Sequence, residues 1–334
     1  MTQLTDILAN TNKKPAQVLN EFTSSQLRQW PLAASNFKGL EKVEVKFYQF
    51  GNYQIMTQFN PERIRSSVAE IDKKSIAARA CFLCNENRPK EQGAIPFGDK
   101  FLILVNPYPI FRNHFTISSK QHTDQRFIPH AKTMLELAAV MEGFTILYNG
   151  PECGASAPDH LHFQAGESSL IPLTEEFDRI KQTERLLFSE GDTKVWAFDH
   201  FLRKMISIET RSMEKGLKII QSYYHSFSEM QPSRVEPMMN ALCSYTDERW
   251  IIHFFPRRAH RSSHFYAEGD KQFLVSPGAV DFAGVFILPR REDFDKMTRE
   301  DMTDIFEQVC LGNDTFLALT NKIQTELSKF ADKD

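Results

Sequence analysis

The sequence predicts an α+β fold, mainly an antiparallel sheet with helices packed on its outer side, and three patterns carry that reading. A hairpin signal occupies residues 43–56, where Val43, Val45 and Phe47 alternate up to Gly51-Asn52 and Tyr53, Ile55 and Met56 follow. A strand pair is expected from Phe101–Val105 and His114–Ile117, joined by a turn containing Asn106-Pro107-Tyr108-Pro109. A third strand, Phe144–Tyr148, is fed by a helical pattern over 131–143 that places Met134, Leu135, Leu137, Ala138 and Met141 on one side.

The remaining elements follow in chain order. Leu4, Ile7 and Leu8, then Val18, Leu19 and Phe22, fall at helical spacing over residues 1–35, and Pro31 is expected to end that pattern. In the second half, Val285–Leu288 followed by a helix around Asp301–Cys310 parallels the strand at 114 and its helix at 131–143. The strand at Trp250–Phe255 then corresponds to the one at 101–105, and a helix over 211–229 connects the halves. This reading divides the chain into residues 1–185 and a degenerate second copy, 186–334.

Composition limits the function. With 334 residues, 41% hydrophobic and 28 phenylalanines, the chain can bury a large core. A net charge of −3 offers no basic field for nucleic acid. No apolar run approaches the roughly 18 residues of a membrane span, and the first residues lack a signal peptide's basic and apolar regions. A soluble cytoplasmic protein is expected. The five cysteines, an odd number, argue for a reducing compartment over a disulfide framework. Cys81-Phe82-Leu83-Cys84 is the one close pair: half a zinc site, a redox pair, or packed free thiols.

The most informative stretch is His160-Leu161-His162-Phe163-Gln164. On a strand, the two imidazoles and the amide project to one side while Leu161 and Phe163 enter a core. Asn149-Gly150 and Gly154-Ala155-Ser156 precede it, and their small residues leave room for a ligand to approach the backbone. Neutral imidazole is a competent nucleophile toward phosphorus. Gln164 and Ser156 would hydrogen-bond phosphate oxygens, Asn149 a phosphate or ribose, and backbone N–H groups near Gly154 the developing charge. The densest basic run, Pro256-Arg257-Arg258-Ala259-His260-Arg261, is either a solvated loop or a phosphate clamp through Arg257 and Arg258.

This constellation resembles the signature of the histidine-triad (HIT) superfamily. Gln in the third position is similar to the transferase branch, which includes galactose-1-phosphate uridylyltransferases, dinucleoside tetraphosphate phosphorylases and GDP-hexose phosphorylases. The resemblance implies a sheet built of two HIT-like halves, the second without the nucleophile. It also implies a nucleotidyltransferase or phosphorylase working through a covalent nucleotidyl-histidine on His162, with Gln164 assisting. The substrate would be a nucleoside diphosphate-sugar or dinucleoside polyphosphate, and the acceptor phosphate or a sugar phosphate. A HIT-type hydrolase and a non-catalytic nucleotide sensor are the alternatives. Asn106 matches a position that contacts ribose, and His114 matches a histidine kept for structure. The zinc-bearing uridylyltransferases imply a structural zinc on Cys81, Cys84, His122 and His160, whereas the triad itself is closest to the GDP-hexose phosphorylases. A homodimer is compatible with the resemblance, although no residue marks its interface.

Overall fold

A computed structural model describes residues 2–64 and 73–331. The thirteen strands of the described residues are β1 (Glu44–Phe50), β2 (Tyr53–Phe59), β3 (Ala94–Phe97), β4 (Phe101–Val105), β5 (His114–Ser119), β6 (Phe144–Asn149), β7 (His162–Glu167), β8 (Arg185–Glu190), β9 (Thr193–Phe198), β10 (Met205–Thr210), β11 (Met239–Thr246), β12 (Arg249–Pro256) and β13 (Val285–Leu288). The predicted hairpin is β1–β2. Phe50 pairs with Tyr53 across the two-residue turn Gly51-Asn52, and Gly51 takes φ +56°, which only glycine adopts without Cβ strain. β13 adds to β2 in parallel and completes a separate three-stranded sheet.

The other ten strands form one antiparallel sheet in the order β3-β4-β5-β7-β6-β11-β12-β10-β9-β8. Outward from its centre the order is β6, β7, β5, β4, β3 one way and β11, β12, β10, β9, β8 the other. The two copies are therefore β3–β7 and β8–β12. Each carries a helix before its fourth strand, Ala131–Val140 in the first and Met213–Met230 in the second. They join where Leu147 of β6 pairs with Leu242 of β11.

This corrects the expected register of the repeat. The strand at 250–256 is the counterpart of β7, not of β4. The helix at 213–230 is a repeat element, not a connector, and β13 belongs to the other sheet. Local pattern misleads here because any strand–helix succession resembles any other, and only pairing partners distinguish them.

Apolar residues cover both faces, so the helices are not confined to one side. One core packs Phe163, Ala165 and Ile117 against Leu135, Ile220 and Ile323. The opposite core packs Leu147 and Leu242 against Ile287, Phe177, Phe282 and Phe306. Each fully buried aliphatic or phenyl side chain contributes about 1.5–3 kcal/mol relative to exposure. At the N-terminus, helices occupy Leu4–Ala9, Pro15–Gln29 and Pro31–Gly39. The second helix ends just before Pro31, as expected, and Pro31 also starts the third. At the first helical position its missing N–H has no partner to lose. Among the described residues, no helix is long and apolar enough to cross a membrane.

Candidate functional site

Alternation along β7 sets the site. Phe163 and Ala165 are fully buried in the first core, so His162 and Gln164 face the other side of the sheet. The β6–β7 ladder ends at the pair Leu147–Gln164. Beyond it the buried Gln125 side chain takes over. Its Oε1 accepts from the His162 N–H at 2.8 Å, and its Nε2 donates to the His162 and Asn149 carbonyls, each at 2.9 Å. One amide thus holds the strand ends without a ladder, a role the sequence reading missed because Gln125 sits in no motif.

His160 lies outside β7, in the turn that precedes it, so it does not continue the strand's alternation. Its carbonyl accepts the Nδ1–H of His162 at 2.8 Å. A carbonyl can only accept, so the proton sits on Nδ1 and the lone pair on Nε2. Burial lowers the pKa of His162 to about 4, against a smaller upward pull from this hydrogen bond. The ring is therefore neutral at pH 7.

His114 performs a similar service for Gln164. The Ile110 N–H donates to its Nδ1 at 3.2 Å, so its proton lies on Nε2 and is donated to Gln164 Oε1 at 3.2 Å. With its carbonyl oxygen so engaged, the Gln164 amide keeps its N–H₂ donors for a ligand. Burial brings His114 down to about 3, and it stays neutral.

His162 and Gln164 line a cleft of about 670 Å³ together with Asn106, Ser156, Trp30 and Tyr108. Asn106 is held by donation from its Nδ2 to Thr116 Oγ1 at 3.2 Å and by accepting the Tyr108 N–H at 3.0 Å. A smaller polar recess shares Arg63, Ser156 and Gln164 with the cleft and is lined further by Asn149, Gly154 and Ser276. There Asn149 Oδ1 accepts from Asn240 Nδ2 at 2.8 Å and from the Ala279 N–H at 2.7 Å, tying the two repeats together. Gly154 takes φ +95°, and a Cβ on it would stand 3.2 Å from the Cα of Gly278.

The arginine pair expected to clamp phosphate does not reach this site. Arg257 is fully buried. Its Nη1 donates to Asn240 Oδ1 at 3.0 Å and the Pro277 carbonyl at 2.6 Å, and its Nη2 to the carbonyls of Ala259 at 3.0 Å and His260 at 2.6 Å. Arg258 is exposed and donates to the carbonyls of Glu307 and Gln308 at 2.7 and 3.1 Å, at the end of helix Arg299–Val309. The first is a bolt between loops and the second caps a helix C-terminus. The arginines that line the cleft are Arg63 and Arg79. Nothing in their sequence surroundings marked them, apart from Arg79 standing two residues before Cys81.

Cys81, Cys84, His122 and His160 converge, with ligand atoms all within 4.8 Å of one another. Cys81 Sγ is 3.3 Å from His160 Nδ1, and Cys84 Sγ is 3.2 Å from His122 Nδ1 and 3.5 Å from His160 Nδ1. Tetrahedral zinc places sulfur and nitrogen ligands about 3.6 Å apart, so the group fits a metal ion. The outer contacts fit as well. His160 Nε2 lies 2.9 Å from the Ser119 carbonyl, which fixes its proton there and turns the Nδ1 lone pair toward the thiols. His122 Nε2 lies 3.7 Å from Asp159 Oδ2. Burial alone would raise the Cys81 thiol, but its pairing with the His160 ring and donation from the backbone N–H groups of Leu83 and Cys84 bring it to about 6.

Fold and site together define a class: a two-repeat antiparallel α+β protein with a neutral, tautomer-fixed imidazole on the wall of a cleft. The family described as "GDPGP1-like, C-terminal domain" matches residues 177–330, and one described as "Domain of unknown function (DUF4922)" matches residues 22–167. No curated protein matches the sequence. Among solved structures the chain is similar to a yeast Ap4A phosphorylase, at 16% identity over 84% of this chain and 94% of that one, with a TM-score of 0.53. The same yeast protein in complex with Ap4A gives 14% identity over 84% and 96%, with a TM-score of 0.54. An ADP-glucose phosphorylase from Arabidopsis thaliana is a looser likeness, at 12% identity over 77% of this chain and 99% of that one, with a TM-score of 0.36. At such identities the solved structures speak for the fold. The chain therefore shares the fold of the yeast phosphorylase, and its residues 177–330 match the GDPGP1-like C-terminal domain.

Proposed function

We propose that the protein is a nucleotidyltransferase, of the phosphorylase or uridylyltransferase kind, with residues 1–185 as its catalytic half and 186–334 as a degenerate second half. The observation that carries this is the state of His162: buried, neutral, its Nδ1 proton committed to the His160 carbonyl, and its ring on the wall of the cleft. Its Nε2 lone pair attacks the α-phosphorus of a nucleoside diphosphate-sugar or dinucleoside polyphosphate. The bond from that phosphorus to the bridging oxygen breaks, and a sugar phosphate or nucleotide leaves with the electron pair. The nucleotidyl-imidazolium keeps its Nδ1 proton, and the His160 carbonyl stabilises the positive charge. An oxygen of phosphate or a sugar phosphate then attacks phosphorus, the P–N bond breaks, and His162 returns neutral. Gln164 and Ser156 hold phosphate oxygens and Asn106 the ribose, while Asn149 and Gly154 shape the adjoining recess. No group at the third position can activate water, which favours transfer over hydrolysis. Zinc on Cys81, Cys84, His122 and His160 would be structural, cross-linking the 81–84 loop to the turn before β7 and supplying no step of the reaction. Five free cysteines suit a reducing, cytoplasmic setting.

Incubation with nucleotide-sugars and dinucleoside polyphosphates, with and without phosphate, tests the reading. Phosphate-dependent products, with an acid-labile nucleotide label on the peptide carrying His162, are expected. Turnover independent of any phosphate acceptor would establish a hydrolase. Binding without products would leave a sensor.

A further inference from the structure

We infer that Arg79 is the phosphate-binding cation of the cleft and that the Cys/His cluster sets its position, an inference that rests on the nucleotide reading above. Arg79 lines the cleft beside Ser156 and His162. One arm of its guanidinium is fixed: Nη2 donates to Asp159 Oδ1 at 3.0 Å and to the Ser156 carbonyl at 3.2 Å. The other arm, Nη1, is buried and meets no hydrogen-bond partner among the described residues. An arginine does not give up its charge, and a buried N–H of a charged group left unmatched is costly. An oxyanion in the cleft satisfies it, and a planar fork with one arm already held loses little freedom on binding. Arg257 shows the contrast, since its Nη donors all end on protein oxygens.

Two ties run from Arg79 to the cluster. Asp159, which holds Nη2, also approaches His122 Nε2 at 3.7 Å through its second oxygen. The guanidinium carbon lies 5.1 Å from the centre of the Phe82 ring, inside the Cys81-Phe82-Leu83-Cys84 loop. A carboxylate behind the guanidinium and a ring against it come from the two sides of the metal-binding group. A shift of that group therefore displaces the phosphate-binding arm directly.

The test uses the full zinc-loaded chain and its Arg79→Gln, Arg79→Lys and Asp159→Asn variants. Calorimetry measures binding of the four ribonucleoside 5′-monophosphates and of the matching nucleosides, alongside zinc content. Arg79→Gln should weaken the preferred monophosphate about tenfold to hundredfold and leave the nucleoside within about twofold. Arg79→Lys should recover part of that loss. Asp159→Asn should keep its zinc and lose about threefold on the monophosphate alone. If Arg79→Gln does not fold, Arg79→Lys decides: a selective loss on the monophosphate supports the role, and unchanged affinity overturns it. Equal losses on nucleoside and monophosphate, or none, overturn it while the nucleotide reading stands. A wild-type protein that binds no nucleotide overturns both.

Discussion

β7 and β12 occupy the same place in the two repeats, and each buries a histidine. Across the sheet Gln164 pairs with Leu147, Leu147 with Leu242 and Leu242 with His253, so the site amide and the second imidazole lie in one row on one face. Burial drives both imidazoles neutral, His162 to about 4 and His253 to about 3. Their surroundings differ. The Phe177 ring packs 4.8 Å from that of His253, whose Nδ1 meets the Ser207 hydroxyl at 2.8 Å. A hydroxyl can donate or accept, so that tautomer is not dictated, and the ring lines neither the cleft nor its recess. His162 has a carbonyl that dictates its tautomer and a cavity in front of it. Depressed basicity is therefore common to a packed histidine and to the proposed nucleophile. Access and a fixed proton distinguish them.

The largest expected effect breaks the comparison directly. His162→Ala should lower turnover by at least about 10³-fold with zinc content unchanged, as removal of a covalent nucleophile does. His253→Ala should leave turnover within a few-fold and cost about 2–4 kcal/mol in urea denaturation, from the cavity and the stranded Ser207 hydroxyl. The opposite pattern would mean that β12 carries the chemistry.

The next effect concerns the Cys/His group at the turn before β7, which has no counterpart beside β12 among the described residues. Cys81→Ser should lower zinc content and cost several kcal/mol, about 3 or more, in the same denaturation measurement. A metal-free wild-type protein of equal stability and activity would remove zinc from the account.

Proton linkage sharpens the shared property. His162, at about 4, and His114 and His253, at about 3, all lie below the ordinary 6.5. The unfolded chain therefore takes up these protons first as pH falls. Their contribution to stability is complete above about pH 6.5 and is lost progressively toward pH 3. The rate constant kcat/KM should be level through neutrality and fall only near pH 4, where His162 protonates. A fall centred near 6.5 would mean an exposed imidazole.

The smallest effect separates the basic run at 256–261 from the arginines of the cleft. Arg258→Ala, at a helix end away from the cleft, should change stability by about 0.5 kcal/mol and leave substrate affinity unaltered. A tenfold rise in KM would restore the phosphate clamp expected from the sequence.

Much of this protein was legible in its sequence, where function depends on local spacing. A period of two assigns His162 and Gln164 to one face and Phe163 to the core, and Gly51-Asn52 closes the first hairpin. The Cys-x-x-Cys pair and two distant histidines were assembled through resemblance, and the structure brings their ligand atoms together. Tertiary structure alone decided the rest. The repeat was misaligned because strand–helix successions look alike until pairing partners are known. Arg257 and Arg258 looked like a clamp because charge in a sequence carries no direction. In the folded chain their donors go to backbone carbonyls, while Arg63 and Arg79, unmarked by any motif, reach the cleft. The tautomer of His162 also depends on a carbonyl two residues away whose orientation is set by the turn before β7. Sequence specifies which groups can do chemistry. Which of them meet solvent, a carbonyl or a cleft depends on long-range packing, because hydrogen-bond geometry and desolvation act over a few ångströms between residues far apart in the chain.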